Sequence, residues 1–540
     1  MIGYAGSGYK GMQITPTEKT IEGDLFIAFV KAGAISKANA DDPKKASLVR
    51  CARTDKGVHA AGNMISLKLI VEEDDIVEKI NSHLTPQIRV WGIERTTGSF
   101  SCYQACDSRW YEYLIPSHAF LPPHPSSWLA KKLEELADEA GDKEGYESRQ
   151  QEVKGFWEDI DAGEINKIVQ NLDEDIRFDV VKALQGEEEA SAKSAKADAD
   201  IEQPVKGGAS IVKQDEKSRD DNEKPADAAI VVNEPAVKVK KDDSAPEADA
   251  DAAVAPTEET VAEVSAQVDA VEEKQETVKA EGETTTSTLT DAERDRLQRL
   301  RAATKELRQA YATAKRRYRI PAQRIERVQS ALNKYKGTKN YHNYTIQKTF
   351  LDPSSKRNIK SFVVNPKPIL IGDDSMPDNE KSEWLSLKVH GQSFMMHQIR
   401  KMVGMVSLLV RCGSDIDKTM DQSFSEAKFS IPKVPGLGLL LERPVFDSYN
   451  NHQAAKHDRA KLIFSKYEKE LGAFKQSQIY ERIFREEQQG GEFGRFFNHI
   501  DHFREKWFLW VSSKGIEATK GVEGKMTEES EGEGGSGGEE

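Results

Sequence analysis

The segment Arg50–Leu69, RCARTDKGVHAAGNMISLKL, sets one carboxylate, Asp55, among polar and cationic neighbours. Arg53, Thr54 and Lys56 flank it, and Gly57 and His59 follow. Cations around a carboxylate favour its ionised form. Such a group suits covalent attack, or the steadying of an oxocarbenium ion, better than it suits delivering a proton. A second constellation is Arg109-Trp110-Tyr111-Glu112-Tyr113. Strand side chains alternate, so Arg109, Tyr111 and Tyr113 share one face. Aromatic rings beside a guanidinium are what an unstacked base packs against. Each segment alone has an ordinary reading, a surface turn and a packed strand, and each gains meaning from the other.

Other chemistries find little support. Gly3-x-x-Gly6-x-Gly8 lacks the Lys-Ser/Thr pair of a phosphate loop and misses the dinucleotide spacing, so it reads as a tight turn. Cys102 and Cys106, with His83 or His118, are spaced too loosely for a zinc site. There is no Gly-x-Ser-x-Gly elbow and no His-Glu-x-x-His pair. The residues therefore predict neither a metal nor a cofactor.

The 540 residues carry a formal net charge of −14, which on its face argues against nucleic acid as a partner. The charge is unevenly spread. Residues 186–290 hold 27 acids, 12 bases and no Phe, Trp or Tyr. They cannot bury enough apolar surface to offset their ordering entropy and are expected to be disordered. The last twenty residues contain seven Glu and one Lys and belong to the same class. The other 415 residues carry about +7. Within them, residues 291–340 have 15 Lys and Arg against 5 acids, including Lys315, Arg316, Arg317 and Arg319. That strip reads as a solvated helix or as a surface that tracks RNA phosphates. Four cysteines fit a reducing compartment, and the longest apolar run, Met402–Val410, is shorter than the ~20 residues of a membrane span.

The elements that must position these residues follow from periodicity. Met1–Ala5, Leu48–Ala52, Asn63–Ile70 and Ile88–Ile93 read as strands, and the helical spacing of Ile21, Leu25, Ala28 and Phe29 and the segment Ile76–His83 as helices. This order is the ferredoxin-like β-α-β-β-α-β unit. A second such half is built from Arg109–Ile115, Ile359–Val364, Trp384–Val389 and a helix over Ser393–Arg411. In that helix Met395, Ile399, Met402, Val406 and Leu409 form the apolar face, with His397, Arg400 and Lys401 elsewhere. The fold class is α+β. Two halves share a large, mostly antiparallel sheet with helices on one face and a basic cleft on the other. The expected divisions are 1–106, 107–121, a helical insertion 122–185, the acidic linker 186–290, a basic helix 291–330, 331–449, a helical extension 450–510 and a disordered tail 511–540.

Five motifs in this order resemble the TruA family of tRNA pseudouridine synthases, over about residues 1–118 and 320–450. Arg53-Thr54-Asp55-x-Gly57-Val58-His59 matches the signature around the family's catalytic aspartate. Tyr4, Gly6, Tyr9, Gly11 and Gln13 match its opening motif, and Arg109, Tyr111 and Tyr113 its Arg-x-Tyr-x-Tyr strand. Phe394, His397 and Arg400 match its Phe-x-x-His-x-x-Arg helix. Gly436, Leu437 and Leu439 match the second half of a late loop, where Pro435 stands one position from its usual place. Gly337–Tyr344, GTKNYHNY, resembles the eukaryotic multi-site branch. Members of the family carry a basic segment ahead of a longer first strand, so this chain is expected to begin inside that strand.

The resemblance implies isomerisation of uridine to pseudouridine in RNA without a cofactor. Asp55 is then the nucleophile, at C1′ or C6. Arg400 pairs with it, and Tyr111 stacks on the base and assists removal of the C5 proton. Arg53, Arg109, Lys56, His59 and Leu437 contact substrate, with His59 and His397 more structural than acid–base, and Lys315, Arg316 and Arg317 meet the RNA backbone. The implied partners are tRNA, and small nuclear and messenger RNA beyond it. The protein is expected to be a monomer in the nucleus, with mitochondrion and cytoplasm as alternatives, and to need no metal. Two rivals are an RNA binder that no longer catalyses and an aspartate-dependent hydrolase, which would want a second carboxylate beside Asp55.

Overall fold

The computed structural model describes residues 1–180, 290–373 and 375–520. Save for Thr290, the acidic linker lies outside the described residues, as does the tail beyond Lys520. The chain divides into a large unit, Met1–Glu202 with Arg296–Glu540, and a second, Gln203–Asp295. Of the second only 290–295 are described, where helix Asp291–Arg317 opens. All contacts below are within the large unit.

Its strands are β1 (Ile2–Tyr4), β2 (Val49–Arg50), β3 (His59–Asn63), β4 (Ile65–Ser66), β5 (Ile88–Val90), β6 (Ser108–Pro116), β7 (Gly337–Asn340), β8 (Lys356–Val364), β9 (Ile369–Ile371), β10 (Ser382–Gly391) and β11 (Leu439–Val445). Nine form one sheet in the order β5-β1-β3-β11-β6-β10-β8-β7, with β9 beside β10. Neighbours are antiparallel except β3 and β11, where Leu440 lies opposite His59. This parallel seam joins the two expected halves edge to edge.

Alternation along the central strands assigns the faces. Register places Tyr4, Ala60, Leu441 and Tyr111 in one row across the sheet. On that face the Tyr111 ring meets Phe394 edge-on at 5.2 Å, just ahead of helix Gln398–Arg411. On the opposite face Trp110 stacks on His390 at 4.2 Å, and Glu112 pairs with Lys475 at 2.6 Å. Lys475 belongs to the C-terminal extension, whose Phe474 ring also meets Trp91 at 5.3 Å. The extension thus covers the sheet face opposite Tyr111.

Three local expectations are corrected. The strand over Asn63–Ile70 is instead two, β3 and β4. The Asn63 amide donates to the Ala52 carbonyl and the Tyr4 hydroxyl while its oxygen accepts from Met64 N, which breaks the ladder. The segment Leu48–Ala52 contributes only β2, which pairs with β4 apart from the main sheet. The helix expected from Ser393 begins at Gln398, because His397 adopts the left-handed region at φ 60°. Arg400 and Lys401, read as lying off the apolar face, are also buried in that helix. Packed chain continues past residue 510, with Trp510 and Ile516 buried around the turns Lys506–Val511 and Gly515–Thr519.

Candidate active site

Asp55 stands in the loop between β2 and β3, and that loop is held from several sides. Thr54 Oγ1 and the Tyr4 hydroxyl are 2.8 Å apart, Met12 N donates to Thr54 O, and Gly57 N donates to Tyr9 O. Gly6 is required by close approach: a Cβ there would lie 2.1 Å from the Val58 carbonyl oxygen. Its N–H donates to His59 Nδ1 at 3.1 Å. The Gly-rich opening therefore serves as the brace of the carboxylate loop.

The Asp55 side chain is 39% exposed, and its Oδ2 lies 3.2 Å from His397 Nδ1. Burial alone would raise its pKa, but His397, Arg400 and Lys433 outweigh that and hold the carboxyl below its ordinary value. The left-handed turn at His397 aims this ring at Asp55. Conformations of that kind in non-glycine residues cost free energy and persist where the surroundings impose them. The direct neighbour is thus His397, whereas Arg400 acts through space. The Arg400 Nε donates to Val434 O at 2.7 Å instead of pairing with the carboxylate. Sequence reasoning placed the histidine among structural groups because its spacing carries no sign of the backbone turn.

The other expected residues separate into three groups. Arg53 and Lys56 are exposed beside Asp55 and form no side-chain hydrogen bond or ion pair among the described residues. Lys56, Gly57, Arg400, Lys433 and Leu437 share the lining of a cleft of about 870 Å³. Tyr113 braces its far wall by donating to Pro435 O at 2.6 Å, a role that the alternating pattern did not suggest. A second group is committed to scaffolding. Arg109 donates to Cys51 O at 2.9 Å and to Gln392 O at 3.4 Å, tying the carboxylate loop to the C-terminal half. His59 is fully buried, and burial, with Arg482 nearby, pushes its pKa down to about 3. Its Nδ1 accepts, so the proton sits on Nε2, toward the Leu437 backbone. It is therefore a neutral brace and not a substrate contact. Tyr111 is buried, and burial raises its phenol pKa, so it stays un-ionised at neutral pH. Its ring packs edge-on against Phe394 at 5.2 Å.

The third group is remote. Lys315 and Arg316 line a separate groove of about 1880 Å³ between the insertion and the C-terminal helices. Lys315 lies 5.8 Å over the Trp157 ring, and Arg317 pairs with Glu164 at 2.9 Å. Arg495 and Asn498 of helix Glu492–His502 line both grooves. The extension thereby links the groove of the basic helix to the cleft that Lys56 and Arg400 line, which no motif revealed. Among the described residues no three His, Cys, Asp or Glu side chains cluster as metal ligands would, and no helix is long and apolar enough to cross a membrane.

Comparison with known proteins agrees with this geometry. The profile of the tRNA pseudouridine synthase family matches residues 331–447, from the end of helix Ala322–Asn333 to β11. The chain is 38% identical over 503 residues to "tRNA pseudouridine synthase 1" of Yarrowia lipolytica, covering 93% of this chain and 74% of that protein. It is 38% identical over 535 residues to the protein of the same name from Schizosaccharomyces pombe, covering 97% and 87%. A more distant relative is "tRNA pseudouridine(27/28) synthase" of Saccharomyces cerevisiae, 28% identical over 452 residues, covering 83% and 84%. Similarity of that degree over nearly the whole length means that this chain belongs to the tRNA pseudouridine synthase family.

Proposed function

We propose that the chain converts uridines to pseudouridines at several positions of tRNA, with Asp55 as nucleophile. The observation that carries this is the carboxylate itself. It is held ionised, Oδ2 is turned to His397, and Oδ1 has no hydrogen-bond partner among the described residues. An ionised oxygen with an open approach is what attack on a nucleoside needs. Whether it adds at C1′ or at C6, the N1–C1′ bond breaks and the base turns in the cleft. A C5–C1′ bond then forms, the bond to Asp55 breaks and returns the carboxylate, the C5 proton leaves and N1 takes one up, so atoms balance without a cofactor. The base must first quit its stack, at a cost of a few kcal/mol that contacts with Arg53, Lys56 and the cleft wall offset.

Among the described residues the groups that act most strongly on Asp55 are His397, Arg400 and Lys433, with no carboxylate among them, whereas a hydrolase would want a second acid there and a binding module has no use for an ionised nucleophile. The substrate range extends in this proposal to small nuclear and messenger RNA, with the nucleus as the site of action. The extension on the second sheet face favours a monomer. The test is release of hydrogen from C5 of labelled uridine in tRNA. Release with the base retained in the RNA is expected, and loss of the base would turn the reading to a hydrolase.

A further inference from the structure

The turn Phe394–His397 distributes its side chains in three directions. Phe394 packs on Tyr111, His397 faces Asp55, and Met396 between them projects outward, 55% exposed. The mount is rigid. Thr345 Oγ1 donates to Met396 O at 3.1 Å, Gln398 Oε1 accepts from Met395 N at 2.9 Å, and Gln398 N donates to Met395 O at 3.2 Å. His397 then closes the turn at φ 60°. A fixed backbone thus carries a long apolar side chain one residue from the group that touches the nucleophile.

The Asp55–His397 contact also sets the carboxylate loop against the turn Phe394–His397, two exposed side chains standing on either side of it. Arg53, exposed, is on one, and Met396 is on the other. A base drawn out of a helix leaves a gap in the stack, and apolar wedges, methionine among them, fill such gaps in nucleic-acid complexes. Methionine has the length and adaptable thioether for this, and its contact is insensitive to salt, unlike that of a guanidinium.

We propose that Met396 is a positioning residue that inserts into the base stack vacated by the target uridine, so that this protein acts on uridines inside paired stems. The proposal rests on the function proposed above. It is tested with the full chain on two RNAs of one sequence, the target uridine paired in one and unpaired in the other, with pseudouridine measured over a range of salt. Met396→Ala is expected to lower kcat/KM on the paired uridine about tenfold at every salt concentration, in line with a few kcal/mol of unstacking. It is expected to lose less than about twofold on the unpaired one, and Met396→Leu to keep wild-type rates on both. Equal loss on both RNAs, or no loss on the paired one, overturns the wedge. A wild-type protein that forms no pseudouridine on either overturns the proposed function instead.

Discussion

Asp55 and Glu112 are both carboxylates held ionised by neighbouring cations, on opposite faces of one sheet. Glu112 is 2% exposed, and its oxygens are engaged by Lys475, Tyr480 and Ser386, with Glu442 sharing the same lysine. Burial opposes its ionisation, but Lys475 dominates and brings the pKa down to about 2. Asp55 is 39% exposed, has one close neighbour, His397, at 3.2 Å, and keeps an oxygen open. The same electrostatic device therefore serves two ends. A carboxylate whose two oxygens are both engaged fastens one element to another, while a carboxylate ionised but under-bonded is available to react.

Swapping acid for amide at each site should break the comparison most sharply. Asp55→Asn is expected to reduce pseudouridine formation by at least about 10³-fold while RNA affinity and stability persist. Retention of most turnover would remove Asp55 from the nucleophile's place. Glu112→Gln, in contrast, leaves Lys475 paired with Glu442 alone and should lower unfolding stability by about 1–2 kcal/mol through its weakened hydrogen bonds. Chemical denaturation reads that loss, and an unchanged midpoint would mean that the network fastens nothing.

A subtler change concerns what keeps Asp55 ionised. Its lowered pKa means that the reactive form persists as pH falls through the ordinary carboxylate range and is lost only below it. His397→Gln removes the nearest partner, so the acid limb of kcat/KM should move to higher pH, with a loss of about tenfold at neutral pH. An acid limb that stays in place would assign the ionisation to Arg400 and Lys433 alone. The smallest effect belongs to the remote groove. Arg316→Glu should reduce the slope of log affinity against log salt for tRNA by about one. Arg317→Glu should do less, since Glu164 already holds that guanidinium. Equal slopes in wild type and both variants would leave the helix a solvated surface.

Much of the fold was legible because periodicity and order are local properties. β6, β8 and β10 and the helices near Ile21 and Ile76 stand where alternation and 3.6-residue spacing put them. The errors lie where a side chain overrides the local pattern. Asn63 splits a strand by bonding backbone, and His397 delays a helix by a left-handed turn. The cover on the second sheet face was not legible for a related reason. The extension after Tyr449 has no motif, and only its packing against Trp91 and Glu112 shows that it covers the second face.

By itself the sequence singled out Asp55 as the candidate carboxylate, set the order of the motifs that surround it, and showed acidic charge gathered in residues 186–290 and the last twenty. Those are matters of residue type and chain order, which need no contacts to be read. Tertiary structure alone decided that His397, not Arg400, touches Asp55, that Arg109 and His59 brace the loop, and that Arg495 and Asn498 join the groove of the basic helix to the cleft. Each of these joins residues far apart in the chain, and only packing sets which of several nearby cations comes within bonding distance of one oxygen.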